Sequence, residues 1–557
     1  MHAARAWGDQ GDGTFRNPIL PADYSDPDAI RVGRDYYLIS STFHLAPGMV
    51  VLHSLDLVNW STIGYAVPDL RAIGPELNWD RMNRYNYGIY AGSIRHHAGK
   101  FWVYFTAYWG EGFFVSTAHD PAGPWEVSQL VDGKGQPLRV MKWDDPCPFW
   151  DDDGRAYLAA SKVGGAWYPH LFQMSPDGTC LLDADVDAMN REGPQSTGEG
   201  TVIYRNDTSE ANKIYKIGDY YYLFHNEVVD GTRIGMMKRA RHLFGTHSDG
   251  SCGEPGNPGA YEVRPILRGR GPDDREPNQG ALVQAESGLW YFLTHEGKGG
   301  YPDGRPLSVL PVTWIDDWPI PGIGSDRDGI GGLVTGAAMP ATGHPRKIPQ
   351  GSDDFDEPKL SAPWQWNYQP RDGFWSLTER PGHLRLRACR PLDPGDFFKA
   401  ANTVSQRTFG AEWMVLTTHM DLAGMSRGQC AGLVHFNGGV DHARLSVVCH
   451  GDTRALVYQD GQTVVRGVDL EPSQQTIWLR SRVDRDAKTT FEFSLDGDRF
   501  TALGPAYLLK WGNYRGDYVG LYTYNDLADR GYVDIDWFRY SVASGCAKDC
   551  GRCPSCG

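Results

Sequence analysis

The hydrophobic pattern of the chain is that of strands, and one strand type recurs five times. Gly33-Arg-Asp-Tyr-Tyr-Leu-Ile-Ser, Gly99-Lys-Phe-Trp-Val-Tyr-Phe-Thr, Gly154-Arg-Ala-Tyr-Leu-Ala-Ala-Ser, Gly218-Asp-Tyr-Tyr-Tyr-Leu-Phe-His and Gly288-Leu-Trp-Tyr-Phe-Leu-Thr-His each set a turn glycine ahead of a short aromatic or apolar run. That is the signature of a hairpin turn and its following strand. The glycines stand 55 to 70 residues apart, room for about four strands per repeat, the size of a propeller blade. No convincing amphipathic helix interrupts them. The pattern predicts an all-β protein that begins with a five-bladed β-propeller over residues 15–320. Residues 321–350 are rich in Gly and Pro and read as a linker. Strand alternation returns in Leu384-Arg-Leu-Arg, Phe491-Glu-Phe-Ser-Leu, Tyr518-Val-Gly-Leu-Tyr-Thr-Tyr and Tyr532-Val-Asp-Ile-Asp-Trp-Phe, with Asp496-Gly497 as a hairpin turn. These predict a β-sandwich over residues 351–542. Residues 543–557 carry Cys546, Cys550, Cys553 and Cys556 with no His beside them, and read as a flexible tail more than as a metal knot.

The segment before each turn glycine forms the innermost strand of its blade, beside the central channel. Asp26, Asp145 and Glu210 lie 7, 9 and 8 positions before Gly33, Gly154 and Gly218. Taken singly, Asp26-Pro27 and Asp145-Pro146 are ordinary turn formers and Glu210 is a surface acid. Their nearly equivalent sites on three blades bring them together at the axis. Asp28, Asp144 and Glu199 are the competing acids and fall out of register. Glycoside hydrolysis commonly uses one carboxylic acid to protonate the leaving oxygen and one carboxylate on the opposite side. A third carboxylate nearby keeps the acid protonated.

Composition narrows the partners. The chain has 557 residues, 41% of them hydrophobic and 12% aromatic, with 19 Trp and 28 Tyr; such rings suit the apolar faces of sugars and, equally, an all-β core. A net charge of −15 argues against nucleic acid or an anionic membrane as partner, and no apolar run approaches the roughly 18 to 20 residues that span a bilayer. The start, Met1-His-Ala-Ala-Arg-Ala-Trp-Gly, contains no apolar signal core. The expectation is a cytoplasmic protein if this start is native, and a secreted or periplasmic one if a leader has been removed.

Arg16-Asn-Pro-Ile-Leu-Pro-Ala-Asp-Tyr-Ser-Asp-Pro-Asp-Ala-Ile, Asp35-Tyr-Tyr-Leu-Ile-Ser-Ser-Thr-Phe, His53-Ser-Leu-Asp-Leu-Val-Asn-Trp, Asp145-Pro-Cys-Pro-Phe and Ser209-Glu-Ala-Asn-Lys-Ile-Tyr-Lys-Ile-Gly-Asp-Tyr-Tyr-Tyr together resemble glycoside hydrolase family 43. The resemblance runs over about residues 15 to 320. A concanavalin-like sandwich such as the C-terminal half is the usual companion in its β-xylosidase and α-L-arabinofuranosidase branches. The resemblance implies an exo-acting, inverting hydrolase of terminal xylose or arabinofuranose, acting on oligosaccharides from xylan, arabinoxylan or arabinan. Asp26 would be the general base, Asp145 the residue that tunes pKa and orientation, and Glu210 the general acid. Arg305 matches the family's active-site arginine, Phe43 and His44 resemble pocket-lining residues, and Tyr90 stands where many relatives place a Trp. No cofactor is required. Many relatives carry a His in the fifth inner strand that helps to hold an ion; Gln279 stands there instead, which leaves a structural Ca²⁺ in the channel in doubt, with His225 and His295 the nearby imidazoles. An endo-acting arabinanase and a non-catalytic carbohydrate-binding propeller are the competing readings.

Overall fold

The computed structural model describes residues 6–543 except 108, 164–167, 192–197, 207, 270–275, 298–300, 323–328, 438, 440, 452 and 462. The four clustered cysteines of the tail lie outside the described residues.

Five antiparallel sheets follow one another along the first half of the chain. Blade I is Asp28–Val32, Asp35–Ser40, Gly48–Ser54 and Ser61–Val67. Blade II is Ile89–His97, Lys100–Ala107, Gly112–Ala118 and Glu126–Gln129. Blade III is Trp143–Trp150, Ala156–Lys162, Tyr168–Met174 and Cys180–Leu181, widened by Val131–Asp132 and Thr201–Val202. Blade IV is Glu210–Ile217, Tyr220–Val229, Thr232–Ala240 and Glu262–Arg268. Blade V is Pro277–Gln284, Trp290–Glu296, Leu307–Ile315 and Trp318–Pro321. The five turn glycines all adopt positive φ, from 58° to 85°, which is why the repeat insists on Gly there. Inner strands contact their neighbours around the ring, blade V against blade I included, so the propeller closes.

The segment expected to be a linker is a strap. Its Gly336–Ala338 pairs with Thr14–Arg16, and a Cβ on Gly336 would stand 2.3 Å from the Phe15 carbonyl oxygen, so only glycine permits this approach. Arg16 thereby leads directly from the strap into blade I, tying the two ends of the propeller together. The strap ends with Gln350 Nε2 donating to the Tyr24 hydroxyl at 2.7 Å.

The C-terminal half is a sandwich of two sheets. One runs Val464–Leu470, Arg454–Asp460, His442–Cys449, Gln429–Phe436, Tyr518–Asn525, Asn402–Arg407 and Gln365–Asn367. Its final strand, Leu45–Ala46, comes from blade I and pairs with Trp366 and Asn367. The other sheet is built on Leu384–Arg387, Tyr532–Val542, Met414–Asp421, Thr476–Val483 and Lys488–Ser494. Alternate residues such as Leu416, Ile477, Leu479, Phe491 and Ile535 fill the space between the sheets.

Buried polar contacts weld the two halves. Arg407 donates from Nε to the Asp23 carbonyl (2.7 Å) and from Nη1 to Gln365 Oε1 (3.0 Å), with its guanidinium 4.6 Å from the Tyr24 ring. Gly410 N donates to Pro21 O and Asp517 N to Pro302 O, each at 2.7 Å. Truncation after Pro349 is therefore expected to give insoluble protein, because it bares the Leu45 edge and the apolar surface around Tyr24. Size-exclusion chromatography with circular dichroism checks this; a folded, monomeric propeller would contradict it.

Candidate active site

Four of the five inner strands break their ladder near one mouth of the channel, and in blade I the strand ends at Asp28, with Ser41 N donating back to Ser25 O at 3.2 Å beyond it. Pairing skips between Tyr90 and Ser93, Asp144 and Cys147, Glu210 and Lys213, and Asn278 and Ala281. The residue just inside each break has positive φ: Asp26 54°, Ala91 22°, Asp145 54°, Ala211 71° and Gln279 55°. These bulges make two tiers. Ser25, Tyr90, Asp144, Glu210 and Asn278 form the outer tier, and Asp26, Ala91, Asp145, Ala211 and Gln279 the inner one. The sequence expectation of nearly equivalent sites needs correcting here. Asp26 and Asp145 are equivalent, Glu210 stands one position earlier, and Asp144, read as out of register, is its true counterpart. Counting back from the turn glycine cannot reveal this, because the strands differ in length between bulge and turn.

Asp26 is the most firmly held acid. Ser41 Oγ donates to its Oδ2 at 2.7 Å, and Arg305 reaches both carboxylate oxygens at 2.8 and 3.3 Å. Its backbone N–H donates to His295 Nδ1 at 2.9 Å. Burial alone would raise its pKa, but the Arg305 guanidinium and the Ser41 hydroxyl overcome this and hold it below the usual carboxylate value. Burial and the nearby Arg305 push His295 down to about 3, so the ring is neutral.

Asp145 sits in the opposite environment. Its Oδ2 accepts from Ala211 N (2.7 Å) and its Oδ1 from Gln279 Nε2 (2.8 Å), joining blades III, IV and V. Burial first, and then the charge of Glu210, raise it to about 7, although Lys213 pulls the other way. Burial and the adjacent Asp145 raise Asp144 well above the ordinary range. Glu210 stands at the rim with its Oε1 bound by Arg233 Nε at 2.8 Å and by Asn278 Nδ2 at 3.4 Å. Arg233 also lies 3.6 Å from Glu276. One side of the mouth thus keeps a carboxylate ionised, and the other holds Asp144 and Asp145, which are pushed towards the protonated form.

The remaining expected residues divide. Arg305 is the partner of Asp26 already described. Phe43 is buried beside the site, edge-on to Tyr90 at 5.1 Å, with Arg305 and Arg515 5.7 and 5.1 Å from its ring. His44 is fully buried. Both its nitrogens are taken, Nδ1 by Asn86 N at 3.0 Å and Nε2 opposite Asn367 Oδ1 at 3.1 Å. It belongs to the joint with the sandwich, because the strand that follows it, Leu45–Ala46, is drawn into the sandwich sheet. Of the competing acids, Asp28 accepts from Ile94 N and Arg95 inside the channel, and Glu199 is fully buried against Lys162. Ser41, Arg233, Glu276 and Asn278 were not anticipated. Ser41 lay within a quoted motif, whereas Arg233, on the third strand of its blade, left no sequence signal.

The channel donors suit Ca²⁺ poorly. Gln279 Oε1 is buried without a hydrogen bond. His295 cannot ligate, since its Nδ1 accepts a backbone N–H and its ring proton therefore sits on Nε2. His225 is turned to Glu227 at 2.8 Å. Deeper in, Arg95 already supplies a cation, bound to Asp28 at 2.7 Å and to Cys147 Sγ at 2.9 Å. This falls short of the six to eight oxygens the ion takes.

Residues 15–319 match the family model for glycosyl hydrolases family 43, and residues 352–541 that for the beta xylosidase C-terminal concanavalin A-like domain. A beta-xylosidase of Formosa agariphila is 36% identical, over 96% of this chain and 91% of its own length. A non-reducing end alpha-L-arabinofuranosidase of Bacteroides ovatus is 33% identical over 67% of this chain and 65% of its own. Among solved structures, a family 43 enzyme engineered to display both endo-xylanase and exo-arabinofuranosidase activity superposes with a TM-score of 0.76 at 26% identity, covering 95% of this chain and all of that one.

Proposed function

The chain belongs to glycoside hydrolase family 43, and from that premise we propose that it releases terminal xylose or arabinofuranose, with inversion, from xylan- and arabinoxylan-derived oligosaccharides. The observation that carries the reading is the charge division of the mouth: Asp26 is held ionised by Arg305 and Ser41, while across the mouth burial and neighbouring carboxylates raise Asp145 and Asp144, with Glu210 beside them at the rim. Asp26 acts as general base, drawing a proton from water on one face of the terminal sugar. Glu210, at the rim, gives its proton to the glycosidic oxygen on the other. An inverting pair leaves roughly 6.5–9.5 Å for that water. Arg305 fixes the Asp26 carboxylate with two hydrogen bonds, so the base needs no reorganisation as charge shifts. Asp145 tunes the acid through its charge and anchors blades III to V. Exo action follows from the sandwich, whose segment Gly512–Asp517 closes blades I and V at the mouth through Asp517–Pro302 and through Arg515, 3.8 Å from Asp23. An endo enzyme needs that side open.

Proton NMR of the sugar first released from xylobiose and from nitrophenyl α-L-arabinofuranoside tests the reading. The expected product is a monosaccharide of inverted anomeric configuration. Retained configuration, or a ladder of oligosaccharides, would overturn it.

Asp145→Asn probes this set of acids. The introduced amide still accepts from Ala211 N, and the Gln279 amide can flip to receive its N–H. Removing one negative charge from a coupled set of acids lets the remaining ones ionise more readily. The alkaline limb of kcat/KM on xylobiose therefore moves to lower pH. A limb that stays in place would make Asp145 a purely structural anchor.

A further inference from the structure

The chain is 12% aromatic, yet among the described residues only three aromatic side chains are more than about a third exposed: Tyr87 at 43%, Trp109 at 39% and Tyr514 at 62%. All three lie at the catalytic mouth. Tyr87 precedes Tyr90 by three residues, at the entry to the inner strand of blade II. Trp109 follows Lys100–Ala107, whose Ala107 end pairs with Ile89 at that same mouth. Tyr514 projects from the sandwich segment beside Arg515 and is close enough to Arg233 to act on its charge.

Two of the three form a continuous surface. The Tyr87 and Trp109 rings meet edge to face at 5.3 Å. Trp109 pairs with Met141 across to blade III, and Met141, itself 43% exposed, precedes Asp144 by three residues. The strip Tyr87–Trp109–Met141 thus curves along the outer side of Tyr90 and Asp144. Its flank is polar, with Arg84 2.9 Å from Glu111 and Asn190 Oδ1 accepting from Met141 N at 3.0 Å. The sandwich closes blades I and V and also packs against the segment that leads to Tyr87, where the Tyr85 hydroxyl donates to Asn437 O at 2.7 Å, so the strip runs from that joint outward to blade III. A glycan whose terminal residue enters the pocket must leave on the side that stays open, over blades II and III.

We propose that Tyr87, Trp109 and Met141 form an accessory subsite that binds the neutral pentose units following the cleaved one. Aromatic and thioether surfaces present apolar faces to the C–H faces of pyranose rings, and the adjoining polar groups meet hydroxyls. The strip carries no net charge to favour an anionic ligand. The inference rests on the pentosidase reading above and adds chain-length specificity to it.

Steady-state kcat/KM on nitrophenyl β-xyloside and on xylobiose through xylohexaose tests it. The parent should gain efficiency up to about xylotetraose. Trp109→Ala should lose roughly tenfold on xylotetraose, about the worth of one good aromatic contact, and stay within about twofold on the nitrophenyl substrate, while Trp109→Phe keeps most of the gain. A flat or falling chain-length profile in the parent overturns the subsite, as do equal losses of Trp109→Ala on both substrate classes. Loss of the chain-length gain in Tyr514→Ala but not in Trp109→Ala would place the subsite on the sandwich and also overturn it. A parent that releases no pentose from any of these substrates would sink the pentosidase reading itself, a different outcome from activity without a chain-length gradient.

Discussion

Asp26→Asn is expected to lower kcat/KM by about 10⁴-fold on every pentoside, activated or not. General base catalysis contributes about 10² to 10⁴ in rate, and an amide can neither accept the proton from water nor neutralise Arg305. The loss should be uniform across leaving groups, because water activation is required whichever group departs. The substitution also strips a buried guanidinium of its counter-ion, which costs several kcal/mol of stability by the general behaviour of buried pairs. A thermal melt must therefore accompany the kinetics, and activity is to be compared well below the lowered Tm. Retention of more than about a hundredth of parental activity in a folded variant would remove Asp26 as the base.

Glu210→Gln should behave differently. On xylobiose, whose leaving sugar oxygen needs a proton, kcat/KM is expected to fall by about 10³-fold; on a dinitrophenyl xyloside, whose phenolate leaves unaided, by less than about tenfold. Stopped assays on both substrates with one enzyme preparation give the ratio directly. Arg233 sharpens the experiment. It binds Glu210 at 2.8 Å and neighbours Glu276 at 3.6 Å, so the Gln variant keeps a hydrogen-bond acceptor for Arg233 and the fold of the rim is preserved. Equal losses on the two substrates would show that Glu210 is not the proton donor, and Asp144, its counterpart on blade III, would be the next acid to test.

What could be read from the sequence follows from what repeats. The five Gly-strand units were legible because a hairpin turn demands positive φ and a blade demands apolar strands, and both demands are written in residue types. The bulges were not. A one-residue break in pairing, as between Asp144 and Cys147, changes no composition, so the tier of Glu210 could be learned only from the register. The strap strand Gly336–Ala338 looked like linker because Gly and Ala carry no strand signature; its Gly is there for close approach to Phe15. The contact of His44 with the sandwich was hidden for a related reason. Its motif fixes its neighbours in sequence, while the exchange of Leu45–Ala46 into another domain's sheet decides which way the segment faces. Arg233 and Glu276 reach the site from positions with no periodic counterpart in other blades, and nothing short of the fold brings them to Glu210.

The donated strand Leu45–Ala46 has a consequence for how such a protein changes over generations. The segment Ser41–Ala46 begins with the hydroxyl that grips Asp26 and ends as an edge of the sandwich sheet. A recombination event that exchanged everything after residue 350 for an unrelated module would leave that edge unmatched and loosen the hydroxyl beneath the reactive carboxylate. Exchange of the C-terminal half is thereby expected to cost the chemistry as well as the sheet edge.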